Sequence, residues 1–251
     1  MQEEIEQKYF TLETMKGLKG SSIIYRFRAV IGRRYIRNLI VEKPLRIVRT
    51  LQSDALALIQ PSYVEGVWEN KLEYSISTPA VALVLGTTVP VEVSLTPLLR
   101  SLHIGKVDFE LVERQQIVLN PGEPEPLTFK RTFTETVLRD TYLVQETDLL
   151  ATDDIQERYQ FSHLLDLPGC LNACRQDVDE LGIQIKHTLN CRIYLHKPDG
   201  NSARVYVGLP VVLILSPTVE IDDCSNIKTH VAAMDSPPQY GEYTFDVPYS
   251  E

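Results

Sequence analysis

The sequence predicts an all-β protein built as an antiparallel β-sandwich. Apolar and polar residues alternate with a period of two along several segments, which is the pattern of half-buried strands. Turn signals rich in proline and glycine separate these segments, and no long window keeps the i, i+3, i+4, i+7 spacing of an amphipathic helix. A chain of 251 residues, 43% of them hydrophobic, is long enough to bury a sizeable core.

The first alternating segments cover residues 72–77, 89–95 and 107–112. Pro90 lies within the second segment. Because proline has no amide hydrogen to donate to a neighbouring strand, we expect an edge strand or a β-bulge there. A further extended stretch, residues 115–119, leads into the loop NPGEPEP, whose prolines exclude regular structure.

The clearest pattern is a β-hairpin late in the chain. Its strands cover residues 183–195 and 205–215, and the intervening HKPDGN contains Pro198 and Gly200, which favour a tight turn. Upstream, residues 170–181 predict a short helix or turn. Alternation assigns one face of each hairpin strand to the interior. The predicted core residues are Leu189, Cys191, Ile193, Val205, Val207 and Leu209.

Composition excludes several classes of protein. No apolar run approaches the roughly 20 residues of a membrane-spanning helix, and the N-terminal MQEEIEQK does not resemble a signal peptide. The four cysteines are too few and too unevenly spaced for a disulfide scaffold, which favours a reducing compartment. A net charge of −9 argues against nucleic-acid binding. We therefore expect a cytoplasmic protein with no nucleic-acid partner.

The sequence contains no motif of an enzyme: GxSxG, GxxxxGK[ST] and HExxH are all absent. Cys170 and Cys174 lie four residues apart without a second pair at ligand spacing, so buried thiols are favoured over a zinc site. His187 is in phase with the apolar positions of its strand. A packed, hydrogen-bonded histidine is favoured there over a catalytic pairing with Asp177 or Cys191. We predict no catalytic residue, metal or cofactor.

A basic stretch near the N-terminus stands out in this acidic chain. Eight basic residues face one acidic residue, Glu42, which gives a local charge of +7. Two interpretations remain open: a solvated face of two strands, or a surface that contacts acidic or phosphorylated protein tails or anionic lipid headgroups. The basic residues are Arg26, Arg28, Arg33, Arg34, Arg37, Lys43, Arg46 and Arg49.

The most specific short motif is PPQY, formed by Pro237, Pro238, Gln239 and Tyr240. Consecutive prolines favour the polyproline II conformation, whose rings and following tyrosine fit the aromatic-lined groove of a WW domain. The preceding residues, 220–236, lose both alternation and apolar density. We therefore expect the folded domain to end near Pro217 and a flexible tail to carry the motif.

Several segments together resemble the fungal alpha-arrestins, and the order of the segments is that of the family. They are EKPLRIVRTLQSDAL (42–56), the long stretch from NKLEYSIS to DFELVERQ (70–115), FSHLLDLPGC to LHKPDG (161–200), LPVVLILSP (209–217) and PPQY. The resemblance implies an immunoglobulin-like sandwich, the arrestin C-terminal lobe, at residues 67–217. It also implies a remnant of the N-terminal lobe at 1–50, an inter-lobe linker at 51–66 and a flexible tail at 218–251.

The resemblance implies an adaptor. In this reading Pro237, Pro238 and Tyr240 bind WW domains of a HECT-type ubiquitin ligase, and the sandwich contacts cytosolic tails of plasma-membrane transporters, which promotes their ubiquitination and endocytosis. Such an adaptor would be cytoplasmic and peripherally recruited to the plasma membrane or endosomes. The implied cargo or lipid contacts are Arg26, Arg28, Arg33, Arg34, Arg37 and Arg46. The alternative is an arrestin-like trafficking scaffold that recruits no ubiquitin ligase.

The N-terminal segment departs from the family pattern. A complete arrestin has a whole sandwich before SIIYRFRAVIGRR, whereas about two strands of it are present here, as in a fragment or short form. Ile23, Tyr25, Phe27 and Ile31 would normally face that sandwich. We therefore predict that they are exposed and that the chain self-associates, aggregates or keeps this region mobile.

Overall fold

Almost every regular element of the computed structural model is a β-strand, which confirms the predicted class. The structure describes residues 15–16, 22–45, 47, 56–99, 102–119, 129–150, 157–180, 182–196, 200, 202–216, 219–222 and 224–228. The N-terminal strands are β1 (Met15–Lys16), β2 (Ser22–Ile23), β3 (Tyr25–Ile31) and β4 (Leu39–Leu45). They form two separate two-stranded sheets, β1-β2 and β3-β4. A four-residue helix, α1 (Leu56–Ile59), follows, and no helix of the described residues is long and apolar enough to cross a membrane.

One sheet of the sandwich has five strands in the order β11-β12-β8-β6-β5, and its pairs are antiparallel. Alternate residues of its central strands are buried, as their period-two pattern predicts. The strands are β5 (Ser62–Trp68), β6 (Leu72–Thr78), β8 (Thr88–Pro97), β11 (Leu149–Leu150) and β12 (Arg158–Asp166). A short 3-10 helix, Glu146–Asp148, precedes β11.

The other sheet has six strands. Its main path runs β10-β9-β14-β15-β7, and the short β13 pairs beside β14. All of its pairs are antiparallel except β15 with β7. The strands are β7 (Ala82–Val84), β9 (His103–Leu119), β10 (Phe129–Leu143), β13 (Val178–Glu180), β14 (Ile183–His196) and β15 (Ser202–Ile214).

The apolar core unites residues of both sheets, as a β-sandwich requires. Leu72 and Ile76 of the first sheet and Phe109 and Ile193 of the second are completely buried. The Phe109 ring stacks on the ring of His163, with 4.9 Å between centroids. Every core residue predicted for the late hairpin is buried: Leu189, Cys191, Ile193, Val205, Val207 and Leu209.

The late hairpin is formed as predicted, by β14 and β15, which pair from His187–Val211 to His196–Ser202. Gly200 has φ +80°, a left-handed conformation that glycine adopts without a steric penalty. Upstream, residues 171–173 form a turn, and the backbone then enters β13 at Val178.

Two predicted features of the first sheet differ from the structure. Strand β8 lies between β12 and β6, so the edge-strand prediction for Pro90 was wrong, and no bulge occurs at Pro90 in its pairing with β12. The register of β6 with β8 ends at the pair Ser77–Glu92, so β6 stops short of Pro90 and needs no amide from it. The second difference concerns the predicted linker, because β5 begins at Ser62, whose hydroxyl donates to the Pro210 carbonyl at 3.2 Å.

The chain beyond Pro217 returns to the sandwich, where the sequence predicts the start of a flexible tail. A short hairpin forms from β16 (Glu220–Ile221) and β17 (Ile227–Lys228). The Ile227 amide donates to the Gly169 carbonyl at 2.7 Å, and the side chains of Ile221 and Ile227 pack against the core. Strands of two residues are too short to produce detectable alternation, so the packed structure extends to Lys228 without a sequence signal.

Candidate functional site

Part of the basic stretch forms a hairpin from β3 and β4. Its arginines fall into two groups, one paired with Glu42 and one at the hairpin tip. Arg28 lies directly opposite Glu42, and Arg26 lies on the same face. Arg26 Nη1 is 3.3 Å from Glu42 Oε2, and Arg28 Nε is 3.6 Å from Glu42 Oε1. All three side chains are largely exposed, so each pair contributes at most about 1 kcal/mol. Glu42 nevertheless neutralises part of the charge on this face.

The remaining described arginines of the candidate contact set are grouped at the hairpin tip, residues 32–38. Arg33 Nε donates to the Arg37 carbonyl at 3.0 Å, and the Arg33 amide donates to Asn38 Oδ1 at 3.2 Å. The Arg34 guanidinium lies 5.6 Å from the centroid of the Tyr35 ring. Among the described residues, none of the three tip arginines forms a salt bridge with a carboxylate. Arg46 and Arg49 lie outside the described residues. The described part of the predicted surface is therefore this hairpin.

The face of the hairpin opposite Arg26 and Arg28 is mostly apolar and open to solvent, and its one basic residue, Lys43, lies directly opposite Phe27. Phe27 is 65% exposed, Ile31 61% and Val41 67%. The predicted exposure of Phe27 and Ile31 is therefore confirmed. Tyr25 is half-buried instead, and the side chain of Ile23 lies outside the described residues. Contiguous exposed apolar surface of this kind is typical of an interaction surface.

A second constellation lies inside the sandwich. Glu113 on β9 is directly opposite His187 on β14, one inward position beyond the apolar pair Leu111–Leu189. Glu113 is 0% exposed, Cys174 0% and His187 2%. We call Glu113, Cys174, Arg175, Asp177 and His187 the buried cluster. An ionised group in such a place is stable only when it is paired and hydrogen-bonded.

Both nitrogens of the His187 ring have polar partners. Nδ1 lies 2.6 Å from Asp177 Oδ1, and Nε2 lies 3.3 Å from Glu113 Oε2. The Cys174 Sγ lies 3.7 Å from the same Nε2. Histidine at this position is therefore packed and hydrogen-bonded, which confirms the favoured interpretation of the sequence. It pairs with Asp177, whereas Cys191 packs in the apolar core.

Residues 174–177 belong to the loop that precedes β13, and their hydrogen bonds connect this loop to three strands. The Arg175 amide donates to Glu113 Oε2 at 2.8 Å, and Arg175 Nη1 donates to Glu113 Oε1 at 2.7 Å. The Gln115 side-chain amide also donates to Glu113 Oε1. On the other side, Asp177 Oδ1 accepts the Leu213 amide at 2.8 Å. The loop thus contacts β9 through Glu113, β14 through His187 and β15 through Leu213.

These contacts determine the protonation states. Burial favours a higher pKa for Glu113, but hydrogen bonds from His187, the Arg175 amide and Gln115 hold its pKa below the ordinary value. Burial favours a lower pKa for His187, but its hydrogen bonds to Asp177, Cys174 and Glu113 raise the pKa to about 11. Burial raises the pKa of the Cys174 thiol. At neutral pH the cluster therefore contains a Glu113 carboxylate, a His187 imidazolium and a Cys174 thiol.

The cluster does not have the properties of a cysteine nucleophile. A nucleophilic cysteine needs an accessible thiolate with a lowered pKa, whereas the Cys174 thiol is sealed and its pKa is raised. Burial also raises the pKa of Cys191, to about 12. Sequence reasoning missed Glu113 and Arg175. The sequence did contain a sign of Glu113. It is a charged residue at the next inward-facing position after Val107, Phe109 and Leu111.

The predicted WW-domain contacts Pro237, Pro238 and Tyr240 lie outside the described residues. Their role in binding WW domains is a prediction from the sequence.

Two β-sheets around one apolar core, with the polar cluster sealed inside, define a β-sandwich domain. The family model described as "Arrestin (or S-antigen), C-terminal domain" matches residues 68–218, and the chain belongs to this family. The resemblance seen in the sequence is thereby confirmed.

Fungal relatives cover nearly the whole chain. The Probable HECT-type ubiquitin ligase-interacting protein creD of Neosartorya fischeri is 42% identical over an alignment of 250 residues, which covers 95% of this chain and 42% of the relative. The HECT-type ubiquitin ligase-interacting protein creD of Emericella nidulans is 41% identical over 250 residues, with coverage of 95% and 42%. The chain thus spans about two fifths of the length of these curated relatives.

Proposed function

We propose that this chain is an adaptor that recruits a HECT-type ubiquitin ligase to membrane transporters. One observation carries the proposal: PPQY at residues 237–240 follows a domain of the arrestin family at residues 68–218. The names of the relatives, which state interaction with a HECT-type ubiquitin ligase, support it. In this proposal the sandwich binds the transporter and PPQY binds the ubiquitin ligase.

The docking step follows from the chemistry of the motif. Pro237 and Pro238 restrict the backbone before binding, so little conformational entropy is lost when their rings enter an aromatic groove. Tyr240 fills a neighbouring pocket, and Gln239 points to solvent between the two anchors. A motif this short supports micromolar affinity, roughly −8 kcal/mol or weaker. Several WW domains in one ligase raise the effective affinity through local concentration.

The tip of the β3-β4 hairpin supports a contact with an acidic partner. Arg33, Arg34 and Arg37 are exposed there, beside the exposed Tyr35. Guanidinium groups in this arrangement suit carboxylates, phosphorylated side chains or anionic headgroups. We place the adaptor in the cytoplasm, recruited peripherally to the plasma membrane or endosomes when cargo is bound. Ubiquitination of the cargo would then promote its endocytosis.

The experiment is a pull-down of the full chain with tagged WW domains of a HECT-type ligase. Tyr240→Ala should abolish capture and ligase-dependent ubiquitination of the adaptor, since the tyrosine pocket would be empty. Tyr243→Ala is the matched control, because it removes a tyrosine three residues away that is outside the motif. Equal capture of the unmodified chain and Tyr240→Ala would refute ligase recruitment through PPQY. It would favour an arrestin-like trafficking scaffold instead.

A further inference from the structure

The buried cluster contains three donor atoms that converge on one point. The ligating atoms of Glu113, Cys174 and His187 all lie within 4.8 Å of one another, and all three residues are buried. A carboxylate oxygen, a thiolate sulfur and an imidazole nitrogen are all established ligands of Zn²⁺ in proteins. We propose that Glu113, Cys174 and His187 form a zinc-binding site inside the sandwich. This inference goes beyond the proposed function and does not depend on it.

The two donor separations that involve His187 agree with tetrahedral coordination. Zinc binds sulfur at about 2.3 Å and nitrogen or oxygen at about 2.0–2.2 Å, which at tetrahedral angles separates S from N by about 3.6 Å and N from O by about 3.4 Å. In the structure, Cys174 Sγ is 3.7 Å from His187 Nε2, which is 3.3 Å from Glu113 Oε2. The third pair, Cys174 Sγ and the Glu113 oxygen, lies within 4.8 Å, against about 3.6 Å in a tetrahedral site, so these two side chains close on the ion when it binds. A water molecule would complete the tetrahedron.

The residues around the donors fit the same assignment. Metal-binding histidines usually donate the proton of the other ring nitrogen to a carboxylate, which fixes the ring and its tautomer. Asp177 Oδ1 lies 2.6 Å from His187 Nδ1 and provides that partner. Arg175 Nη1 donates to Glu113 Oε1 at 2.7 Å and so orients Oε2 toward His187. Asp177 and Arg175 are thus positioning residues for the site.

The binding step balances in charge. Without metal, two carboxylates, one guanidinium and one imidazolium sum to zero, and the thiol is neutral. When Zn²⁺ enters, the Cys174 thiol and His187 Nε2 each release a proton to solvent, and bonds form from zinc to sulfur, nitrogen and the Glu113 oxygen. Two positive charges leave and two enter, so the cluster stays neutral. The sandwich interior therefore gains no uncompensated charge in either state.

The test uses the purified full chain after treatment with a chelator. It is titrated with Co²⁺ as a spectroscopic probe and then with Zn²⁺ as a competitor. We expect one Co²⁺ per chain, a sulfur-to-cobalt charge-transfer band and displacement by one equivalent of Zn²⁺. A chain that binds no metal, or binds it without this band, would overturn the proposal.

Cysteine variants identify which sulfur atom binds the metal. Cys174→Ser should remove the charge-transfer band, and Cys224→Ser, at the exposed cysteine, should keep it. A variant carrying Cys170→Ser, Cys191→Ala and Cys224→Ser leaves the cluster unchanged. Because Cys174 is the one cysteine left in this triple variant, a charge-transfer band must come from its sulfur. This result identifies the ligand even if circular dichroism shows that Cys174→Ser does not fold. Loss of the band in a folded triple variant would contradict the assignment.

The positioning role of Asp177 has its own control. Asp177→Asn should weaken Zn²⁺ affinity by about 10- to 100-fold, because the His187 ring loses its charged partner. Asp179→Asn changes an exposed aspartate two residues away and should leave the affinity unchanged. Equal losses in the two variants would reject a specific role for Asp177.

Discussion

At the scale of single residues, the buried cluster determines what the sandwich can tolerate. Glu113 occupies a position that alternation assigns to the core, and its carboxylate is 0% exposed. An ionised carboxylate in such a place is stable only because Arg175, His187 and Gln115 donate to it. Removing one member leaves the others charged and buried, which costs more than the pair itself contributes.

The residue-scale prediction is that Glu113→Ala destabilises the metal-free protein by about 3–5 kcal/mol, the usual cost of breaking a buried ion pair. Glu73→Ala, the same substitution at an exposed strand position, should stay within about 0.5 kcal/mol. Urea unfolding with a chelator present, followed by circular dichroism, measures both free energies. Similar values for the two variants would show that the cluster contributes nothing to stability.

At the scale of elements, strands β14 and β15 carry the clearest information. Their inward residues are buried and their outward residues contact solvent, so a single substitution tests the assignment of faces. Ile193→Asp should unfold the sandwich, because an unpaired buried carboxylate costs several kcal/mol against a total stability of about 5–15 kcal/mol. Tyr206→Asp, on the exposed face of β15, should leave the fold intact. Far-ultraviolet circular dichroism and thermal melting distinguish the two outcomes, and a folded Ile193→Asp variant would refute the assignment.

The elements that sequence analysis found, and those it missed, differ for a physical reason. Strands β14 and β15 lie inside their sheet with one face on the core, so alternation is strong. Strand β10 lies at the edge, and its register shifts between Thr136 and Leu138, so a bulge breaks the period. Glu113 and His187 were in core phase, but their partners Arg175 and Asp177 come from a loop. The spacing of residues in the sequence does not reveal that side chains of a loop contact side chains of two strands.

The hairpin of β3 and β4 makes a separate element-scale prediction. Replacing Arg33, Arg34 and Arg37 by glutamate should abolish salt-sensitive binding to vesicles containing phosphatidylserine, because the exposed tip charges are reversed. A control carries Lys130→Glu, Arg131→Glu and Arg139→Glu on β10, which change the net charge equally at other exposed positions. Co-sedimentation with vesicles at low and high salt measures binding. Unchanged binding by the tip variant would leave these arginines as a solvated face.

At the scale of the whole molecule, the exposed apolar face of the hairpin determines behaviour in solution. Phe27, Ile31 and Val41 lie on this face, and a two-stranded ribbon by itself is only marginally stable in water. We expect the isolated 251-residue chain to self-associate through it. Replacing the three residues by serine should shift sedimentation toward monomer, whereas Tyr63→Ser, at another exposed residue, should not. A clean monomer for the unmodified chain would contradict this expectation.

The adaptor proposal joins two parts of the molecule, a family domain at residues 68–218 and a motif at residues 237–240. The domain belongs to the arrestin family, and the role of the motif rests on its sequence alone. Because a linear motif binds without the rest of the chain, it can be tested by itself. That separates ligase binding from the folding of the sandwich.

The most direct measurement is a calorimetric titration of a peptide covering residues 233–247 with the WW domains of a HECT-type ligase. The account predicts one-to-one binding with micromolar affinity, lost in the peptide carrying Tyr240→Ala and kept in the one carrying Tyr243→Ala. Absence of binding at millimolar concentration would contradict ligase recruitment through PPQY.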